Sequence, residues 1–263
     1  HPFDNADVVA GQGTLGLEIL AKLPDVRTVV VPTGGGGLLA GVALAVKSTD
    51  PTIRVVGVQA DQVAAYPPSL EAGAPTPLAW MPTMADGIAV GRPGDVPFAI
   101  VQEYVDEVRT VTEEEVSRAV LLLLERAKLV VEPAGAAAAA AVLAQPRDFE
   151  PPVAVVLSGG NVDSLVLLRI IRHGLAAAGR YLTIVVRTPD RPGSLAALLG
   201  DIKTLQANVV DIDHNRVDAG LGVDEVDIVV HVETRGADHC DALVAALKER
   251  GYRVMPTTVV EPD

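Results

Sequence analysis

The chain has 263 residues, 49% of them hydrophobic, which is enough for one large or two ordinary domains with a substantial core. Its formal charge of -13 disfavours binding to nucleic acid and to anionic membrane surfaces, and its apolar runs are too short to span a membrane. A single cysteine, Cys240, cannot form an internal disulfide, and no signal segment is recognisable near His1, so we expect a cytoplasmic protein.

The first part of the chain alternates between two kinds of segment, which predicts an α/β fold with a parallel sheet. Apolar runs rich in valine and isoleucine are typical of buried parallel strands, and they occupy 28–31, 53–58, 108–111 and 153–157. Helices are predicted at 14–23, 38–48, 113–127, 135–143 and 163–174. Thr112 and Glu115 form a capping-box pattern at the start of the third helix. The proline-rich segment 66–97 is expected to be irregular, with at most one short helix.

The pattern changes after a run of small residues at 174–180, where we predict a domain boundary between 1–178 and 179–263. Downstream, strands are predicted at 181–188, 208–217, 225–234 and 252–260, and helices at 194–205 and 238–250. A turn at 190–193 precedes the first of these helices, and a hairpin turn is expected at 218–222. The order βαββαβ indicates a split, ferredoxin-like domain.

A run of four glycines lies between the first predicted strand and the helix that follows it. Gly34, Gly35, Gly36 and Gly37, here named the tetraglycine loop, are followed by Leu38. Glycine permits positive φ and lets several N–H groups converge at a helix N-terminus, so we expect a bound phosphate. Leu38 and Leu39 stand where a Walker loop carries Lys and Ser/Thr. The alternative is a glycine-rich turn required by tight strand-to-helix packing.

Two further glycine motifs need separate interpretations. Gly11, Gly13 and Gly16 have the spacing of a dinucleotide fingerprint, but no buried strand precedes them and no acidic residue lies about 20 positions later. We therefore assign these glycines to loop and helix-start geometry. Ser158 begins a Ser-Gly-Gly-Asn motif at the carboxyl end of the last strand in the parallel sheet, where ligands bind in such sheets. An ordinary turn is the alternative for this motif.

These motifs resemble a known family. Gly34 to Leu38, Ala85-Asp-Gly87, Val131-Glu-Pro-Ala-Gly-Ala136 and Ser158-Gly-Gly-Asn161, in this order, are similar to the threonine dehydratase (threonine ammonia-lyase) group of fold-type II pyridoxal-phosphate enzymes. The resemblance covers nearly all of 1–178 and implies a tryptophan-synthase-beta-like fold. It also implies that the tetraglycine loop holds the cofactor phosphate, that Ser158 hydrogen-bonds the pyridine nitrogen, and that Gly87 and Glu132 lie near the ring. The implied reaction is β-elimination of L-threonine to 2-oxobutanoate and ammonia, in isoleucine-related metabolism.

The chain departs from this family in one important respect. The Ser-Phe-Lys phrase that carries the Schiff-base lysine is absent, and all lysines fall in predicted helices or at their ends: Lys22, Lys47, Lys128, Lys203 and Lys248. No catalytic residue is therefore assigned, and we expect an N-terminally incomplete chain that is inactive alone. Some relatives bind a divalent cation through a Glu where this chain has Gln59, so we expect no metal site.

Residues 179–260 resemble an ACT domain, a regulatory module that binds amino acids. This resemblance implies effector-binding positions at Asp190, Gly193, Ser194 and Asn208, with isoleucine or valine as the effector. A module used only for assembly is the alternative. His214, Arg216, His231, His239 and Cys240 have no recognisable metal-ligand spacing. Exposed edge strands favour a homodimer or homotetramer.

Two rival functions stay open at this point. A serine racemase or serine dehydratase of the same fold would carry a similar cofactor site. A non-catalytic amino-acid sensor belongs to another class of protein. An in-frame Ser-Phe-Lys segment upstream of His1 in the encoding reading frame would favour an enzyme over a sensor.

Overall fold

The computed structural model describes residues 1–79, 81–216 and 220–256. These form two compact units, His1–Ile170 and a second that begins at Ile171. No helix among the described residues combines the length and the apolar character needed to cross a membrane. The assignment of separate functions to 1–178 and 179–263 stays a prediction.

The first unit is built on a parallel sheet. Its strands are β1 (Thr28–Pro32), β2 (Arg54–Ala60), β3 (Glu107–Val111) and β4 (Val153–Val155). They pair in the order β3-β2-β1-β4, all parallel, which confirms the expected α/β architecture. Both faces of the sheet are covered: Val29 and Val31 pack into one buried cluster and Val30 into the other. The helices that cover these faces are α1 (Ala6–Lys22), α2 (Gly37–Thr49), α3 (Tyr66–Ala72), α4 (Asp95–Tyr104), α5 (Glu113–Leu122), α6 (Pro133–Ala144) and the part of α7 (Ser164–Ala177) that ends at Ile170.

Helix α1 begins eight residues earlier than the predicted start at residue 14. Asn5 caps it by accepting a hydrogen bond from the Asp7 N–H at 2.7 Å. Gly11, Gly13 and Gly16 therefore lie inside a helix, and their assignment to loop and helix-start geometry was wrong. Close packing accounts for two of them, since a Cβ at Gly13 would lie 3.2 Å from the Gly41 carbonyl oxygen and one at Gly16 would lie 2.9 Å from the Ala45 Cβ, both in α2.

Helix α4 lies where no helix was predicted. Pro97, the last residue of the segment expected to be irregular, sits in the first turn of α4, where a missing N–H costs little. The described residues of segment 66–97 otherwise contain the short helix α3 and one 3-10 turn, Asp86–Ile88, as expected of an irregular region. The capping box is confirmed, because Thr112 and Glu115 exchange hydrogen bonds of 2.9 and 3.2 Å. After α5 the chain continues as a π-helical turn, Leu123–Ala127, within the predicted helix.

The second unit is an antiparallel sheet with two helices in the described sequence. Its elements are β5 (Tyr181–Pro189), α8 (Ser194–Thr204), β6 (Asn208–Asn215), β7 (Glu225–Glu233), α9 (Ala237–Glu249) and β8 (Arg253–Pro256). The strand order β6-β7-β5-β8 is that of the predicted ferredoxin-like arrangement. Parts of three predictions lie outside the described residues: residue 217 of the strand 208–217, residues 218 and 219 of the hairpin turn, and residues 257–260 of the last strand.

Candidate active site

The carboxyl edge of the parallel sheet brings two of the predicted motifs to neighbouring strands. β1 leads into the tetraglycine loop, and β4, paired with β1, leads into Ser158. The pairing continues past the strand end, since the Val156 N–H donates to the Val30 carbonyl at 3.0 Å. In open α/β sheets this edge is where ligands bind.

The tetraglycine loop presents a row of backbone N–H donors. For the N–H groups from Gly34 through Leu39 there is no acceptor among the described residues, and the first N–H of α2 to bond is that of Ala40, to the Gly36 carbonyl at 2.8 Å. Gly36 has a φ of 99°, which favours glycine. Gly35, Gly36 and Gly37 are buried. Buried N–H groups without partners are rare, so this helix N-terminus fits an oxyanion such as phosphate.

The back of the loop is closely packed. A Cβ at Gly35 would collide with the Phe3 ring, and one at Gly36 would collide with the Tyr66 hydroxyl. The packing explanation for the glycines therefore holds together with the anion-binding one. Sequence reasoning missed Phe3 and Tyr66 as parts of the site, because they come from segments distant from the motif and no short pattern connects them.

A second group of predicted residues meets beside the loop. The Glu132 N–H donates to the Gly159 carbonyl at 3.1 Å, and a Cβ at Gly159 would collide with the Glu132 carboxylate. A Cβ at Gly87 would lie 3.6 Å from Glu132 Oε1, and one at Gly34 would lie 3.1 Å from the Cα of Ile88. Gly34, Gly87, Glu132 and Gly159 are thus neighbours. Ser158 precedes Gly159 and is exposed, so its hydroxyl is accessible to a ligand.

Gln59 has a structural role beside the same loop. It is completely buried, and its Oε1 accepts a hydrogen bond from the Tyr66 N–H at 2.8 Å. Its Nε2 has no partner within the described chain. No group of three or more His, Cys, Asp or Glu side chains in the described segments could hold a metal ion.

Two lysines of the first unit, Lys22 and Lys47, lie away from this edge, and the ammonium of the third, Lys128, is engaged by a nearby carbonyl. Lys47 pairs with Asp106 at 2.8 Å, next to the amino end of β3 and thus at the opposite edge of the sheet. Lys128 donates to the Glu125 carbonyl at 2.7 Å, and Lys22 is exposed at the end of α1.

The predicted effector residues of the second unit separate into two places. Asp190, Gly193 and Ser194 line a pocket of about 350 Å³ together with His214 and Arg216. Arg216 Nε donates to Asp190 Oδ2 at 2.8 Å, and this hydrogen bond holds the pKa of Asp190 below its usual value.

Asn208 lies elsewhere. Its side chain donates to Glu233 Oε2 at 3.1 Å, and Glu233 is paired with Tyr181, at the start of β5. Asp190 follows the end of β5. Within one chain, Asn208 and Asp190 are therefore at opposite ends of the sheet, and the four predicted effector residues do not form one site there.

Comparison with known proteins identifies relatives of this arrangement. Residues 1–159 match the family described as "Pyridoxal-phosphate dependent enzyme". The L-threonine ammonia-lyase of Thermotoga maritima is 45% identical over 254 residues, covering 97% of this chain and 63% of the relative. That of Geobacter sulfurreducens is 43% identical over 255 residues, with the same coverage. The chain thus spans less than two thirds of the length of these relatives.

Solved structures give a consistent result for the fold. The processed form of threonine deaminase isoform 2 from Solanum lycopersicum is 34% identical, with a TM-score of 0.63, and the match covers 66% of this chain and 51% of that one. The serine racemase of Dictyostelium discoideum is 38% identical, with a TM-score of 0.57, covering 62% and 53%. This chain therefore matches only about half of the length of each of these two structures.

Proposed function

Because the chain belongs to the pyridoxal-phosphate dependent enzyme family, we propose that it supplies the phosphate-binding and ring-binding part of an L-threonine ammonia-lyase. The net reaction converts L-threonine to 2-oxobutanoate and ammonia. The observation that carries the proposal is the row of N–H groups from Gly34 through Leu39, which have no acceptor in the part of the chain that the structure describes, at the edge that also bears Ser158. The ammonia-lyase relatives that match 97% of the chain support this choice of reaction.

Each residue of the edge has a role in this proposal. The N–H groups of the tetraglycine loop and Leu38 bind the cofactor phosphate, and Glu132 and Gly87 flank its ring. When bound, the cofactor supplies an electron sink for loss of the substrate α-proton and β-hydroxyl. The Ser158 hydroxyl donates to the pyridine nitrogen. A neutral hydroxyl does not force protonation of that nitrogen, which limits the electron sink and favours elimination over transamination.

The lysines provide a first test. Since Lys22 and Lys47 lie away from the edge, Lys128 donates to the Glu125 carbonyl, and no lysine stands in a Ser-Phe-Lys phrase, we expect no specific covalent bond between this chain and added pyridoxal phosphate. Borohydride reduction followed by peptide mapping measures this directly. Stoichiometric labelling of one lysine would contradict the assignment, whereas scattered, substoichiometric labelling is expected.

The activity is tested on protein expressed from the whole encoding reading frame. We expect an in-frame Ser-Phe-Lys segment upstream of His1 and release of 2-oxobutanoate from L-threonine. A serine racemase or serine dehydratase is the second candidate, supported by the 38% identity to the Dictyostelium racemase. Formation of D-serine or pyruvate from L-serine, without turnover of L-threonine, would favour that alternative. A reading frame that lacks the lysine phrase would favour an amino-acid sensor.

For the second unit we propose regulation by an amino acid. Its ferredoxin-like strand order and the pocket lined by Asp190, Gly193, Ser194 and Arg216 support an ACT-type module. Isoleucine is the proposed effector and valine its competitor, because both are small zwitterions with an apolar side chain. We further propose that the protein acts in the cytoplasm as a homodimer or homotetramer.

A further inference from the structure

Tyr66 is buried against the tetraglycine loop and is held from two sides. Its side chain is 0% exposed, and its ring stacks on Phe98 with the centroids 6.3 Å apart. Its backbone N–H donates to the buried Gln59 side chain at 2.8 Å. The position of the phenol relative to the loop is therefore closely defined.

The hydroxyl of Tyr66 contacts one particular peptide of the loop. It donates to the Gly35 carbonyl at 3.3 Å, and the Gly94 N–H donates to the same oxygen at 3.1 Å. In a trans peptide, a carbonyl and the N–H that follows it point in opposite directions. Fixing the Gly35 carbonyl toward Tyr66 and Gly94 therefore directs the Gly36 N–H away from them.

The geometry at Gly36 depends on the same hydroxyl. A Cβ at Gly36 would collide with the Tyr66 oxygen, and the φ of 99° at Gly36 favours glycine. Burial, with a smaller contribution from the charge of Asp4, raises the pKa of Tyr66, so the hydroxyl stays protonated and available as a donor.

We infer that Tyr66 is a positioning residue for the phosphate site: its hydroxyl orients the peptide between Gly35 and Gly36 so that the Gly36 N–H faces the anion. The inference rests on the proposed function in one respect, namely that the tetraglycine loop binds phosphate. Tyr66 itself does not touch the anion and acts through the loop.

The test uses the full chain, inorganic phosphate as the probe, and backbone amide NMR spectra recorded during titration. In the unsubstituted chain, we expect saturable shifts of the amides from Gly34 through Leu39. In Tyr66→Phe, which removes only the hydroxyl, we expect the Gly36 shift to be lost and phosphate affinity to fall about fivefold, the equivalent of one hydrogen bond. Tyr104→Phe, which removes a phenol at the end of α4, is the matched control and should leave both readouts unchanged.

A second variant removes the other donor to the same carbonyl. Gly94 has a φ of -67°, which suits proline, so Gly94→Pro deletes its N–H without changing φ, and it should also weaken phosphate binding. The added Cβ would lie 3.0 Å from the Asp4 side chain, which has to shift slightly to accept it. The same spectra report whether each variant keeps its fold.

The two possible failures are distinguishable. If Tyr66→Phe binds phosphate as tightly as the unsubstituted chain, with the same Gly36 shift, the positioning role is overturned while the phosphate site stands. If the loop amides of the unsubstituted chain do not respond to phosphate, the proposed site itself fails, and the role of Tyr66 fails with it.

Discussion

In the proposed site, the exposed hydroxyl of Ser158 is the group that hydrogen-bonds the pyridine nitrogen of the cofactor. Replacing it with alanine removes one neutral hydrogen bond to the cofactor, which is worth on the order of 1 kcal/mol. We expect Ser158→Ala to weaken pyridoxal phosphate binding by that amount in protein from the whole reading frame, measured by fluorescence titration.

The matched control for this measurement is Ser48→Ala, because Ser48 is exposed in the last turn of α2, at the opposite end from the tetraglycine loop. Cofactor affinity and turnover that are both unchanged in Ser158→Ala would remove Ser158 from the site.

Asp227 predicts a pH dependence of stability in the second unit. Arg187 donates to both carboxylate oxygens of Asp227 at 2.8 Å, and these bonds lower the pKa of Asp227 below its ordinary value. The stabilisation from this pair is therefore fully present above the ordinary carboxyl pKa and is lost as the pH falls through the lowered, folded-state pKa. We expect the free energy of unfolding to decrease on acidification below about pH 4, the ordinary aspartate pKa.

Asp227→Asn separates the contribution of the Arg187–Asp227 pair to the free energy of unfolding from that of other carboxylates. It should reduce stability at neutral pH by about 1.5–3 kcal/mol, as for a hydrogen bond to a charged group, and should flatten the acid dependence. Urea titration followed through the amide signals of β7 gives both values, and Asp241→Asn, at an exposed position in α9, is the control. Equal acid sensitivity in Asp227→Asn and the unsubstituted chain would contradict the assignment.

At the scale of elements, the contact between α1 and α2 distinguishes two kinds of helical glycine. A Cβ at Gly11 in α1 would have nothing within 4 Å, whereas one at Gly41 in α2 would collide with the backbone of α1 at Val9. Gly11→Ala should therefore stabilise the chain by about 0.5–1 kcal/mol through helix propensity. Gly41→Ala should destabilise it by about 1–3 kcal/mol, the range for overpacked interiors.

Thermal unfolding of these two variants measures the difference directly. Since both substitutions make the same chemical change inside a helix, the opposite signs isolate the packing contribution. Destabilisation by Gly11→Ala, or stabilisation by Gly41→Ala, would mean that the two helices do not approach each other in this way.

The same elements explain which parts of the fold the sequence could predict. β1 was found because each of its residues is buried, so every position is apolar or compact. α1 and α4 were misjudged because Gly13 and Pro97 usually oppose helices, and only the neighbouring helix and the position in the first turn explain their presence. Local sequence patterns therefore predict buried strands well. They do not show which neighbouring helix a glycine such as Gly13 packs against, and that neighbour explains why the residue is tolerated.

The candidate active site follows the same rule. Gly34 to Gly37 and Ser158 were predicted, because parallel strands bring their carboxyl ends to one edge regardless of sequence distance. Phe3 and Tyr66 pack against the tetraglycine loop only because the segments that carry them fold back over it. They could not be found without the tertiary structure.

At the scale of the whole molecule, similarity to the Thermotoga ammonia-lyase extends over 254 residues and so includes parts of both units. This supports treating the second unit as part of the same functional protein. Its strands β6 and β8 are sheet edges, and unprotected edges favour pairing between copies.

Because Asn208 and Asp190 lie far apart within one chain, effector binding by both residues would require a dimer. If isoleucine bridges these two residues, Asn208 must come from a second copy placed about a twofold axis, because within one chain the two lie at opposite ends of the sheet. We expect calorimetry to show isoleucine binding in the micromolar to millimolar range, roughly -4 to -8 kcal/mol, together with a dimer in sedimentation experiments.

Asp190→Asn and Asn208→Ala should both weaken isoleucine binding, since the first removes the carboxylate that accepts from the ammonium and the second removes a polar group across the interface. Asp241→Asn serves as the control for both. Wild-type affinity in Asn208→Ala, with loss in Asp190→Asn, would place the effector within a single chain, and an absence of heat with isoleucine, valine, threonine and serine would leave the second unit as an assembly module.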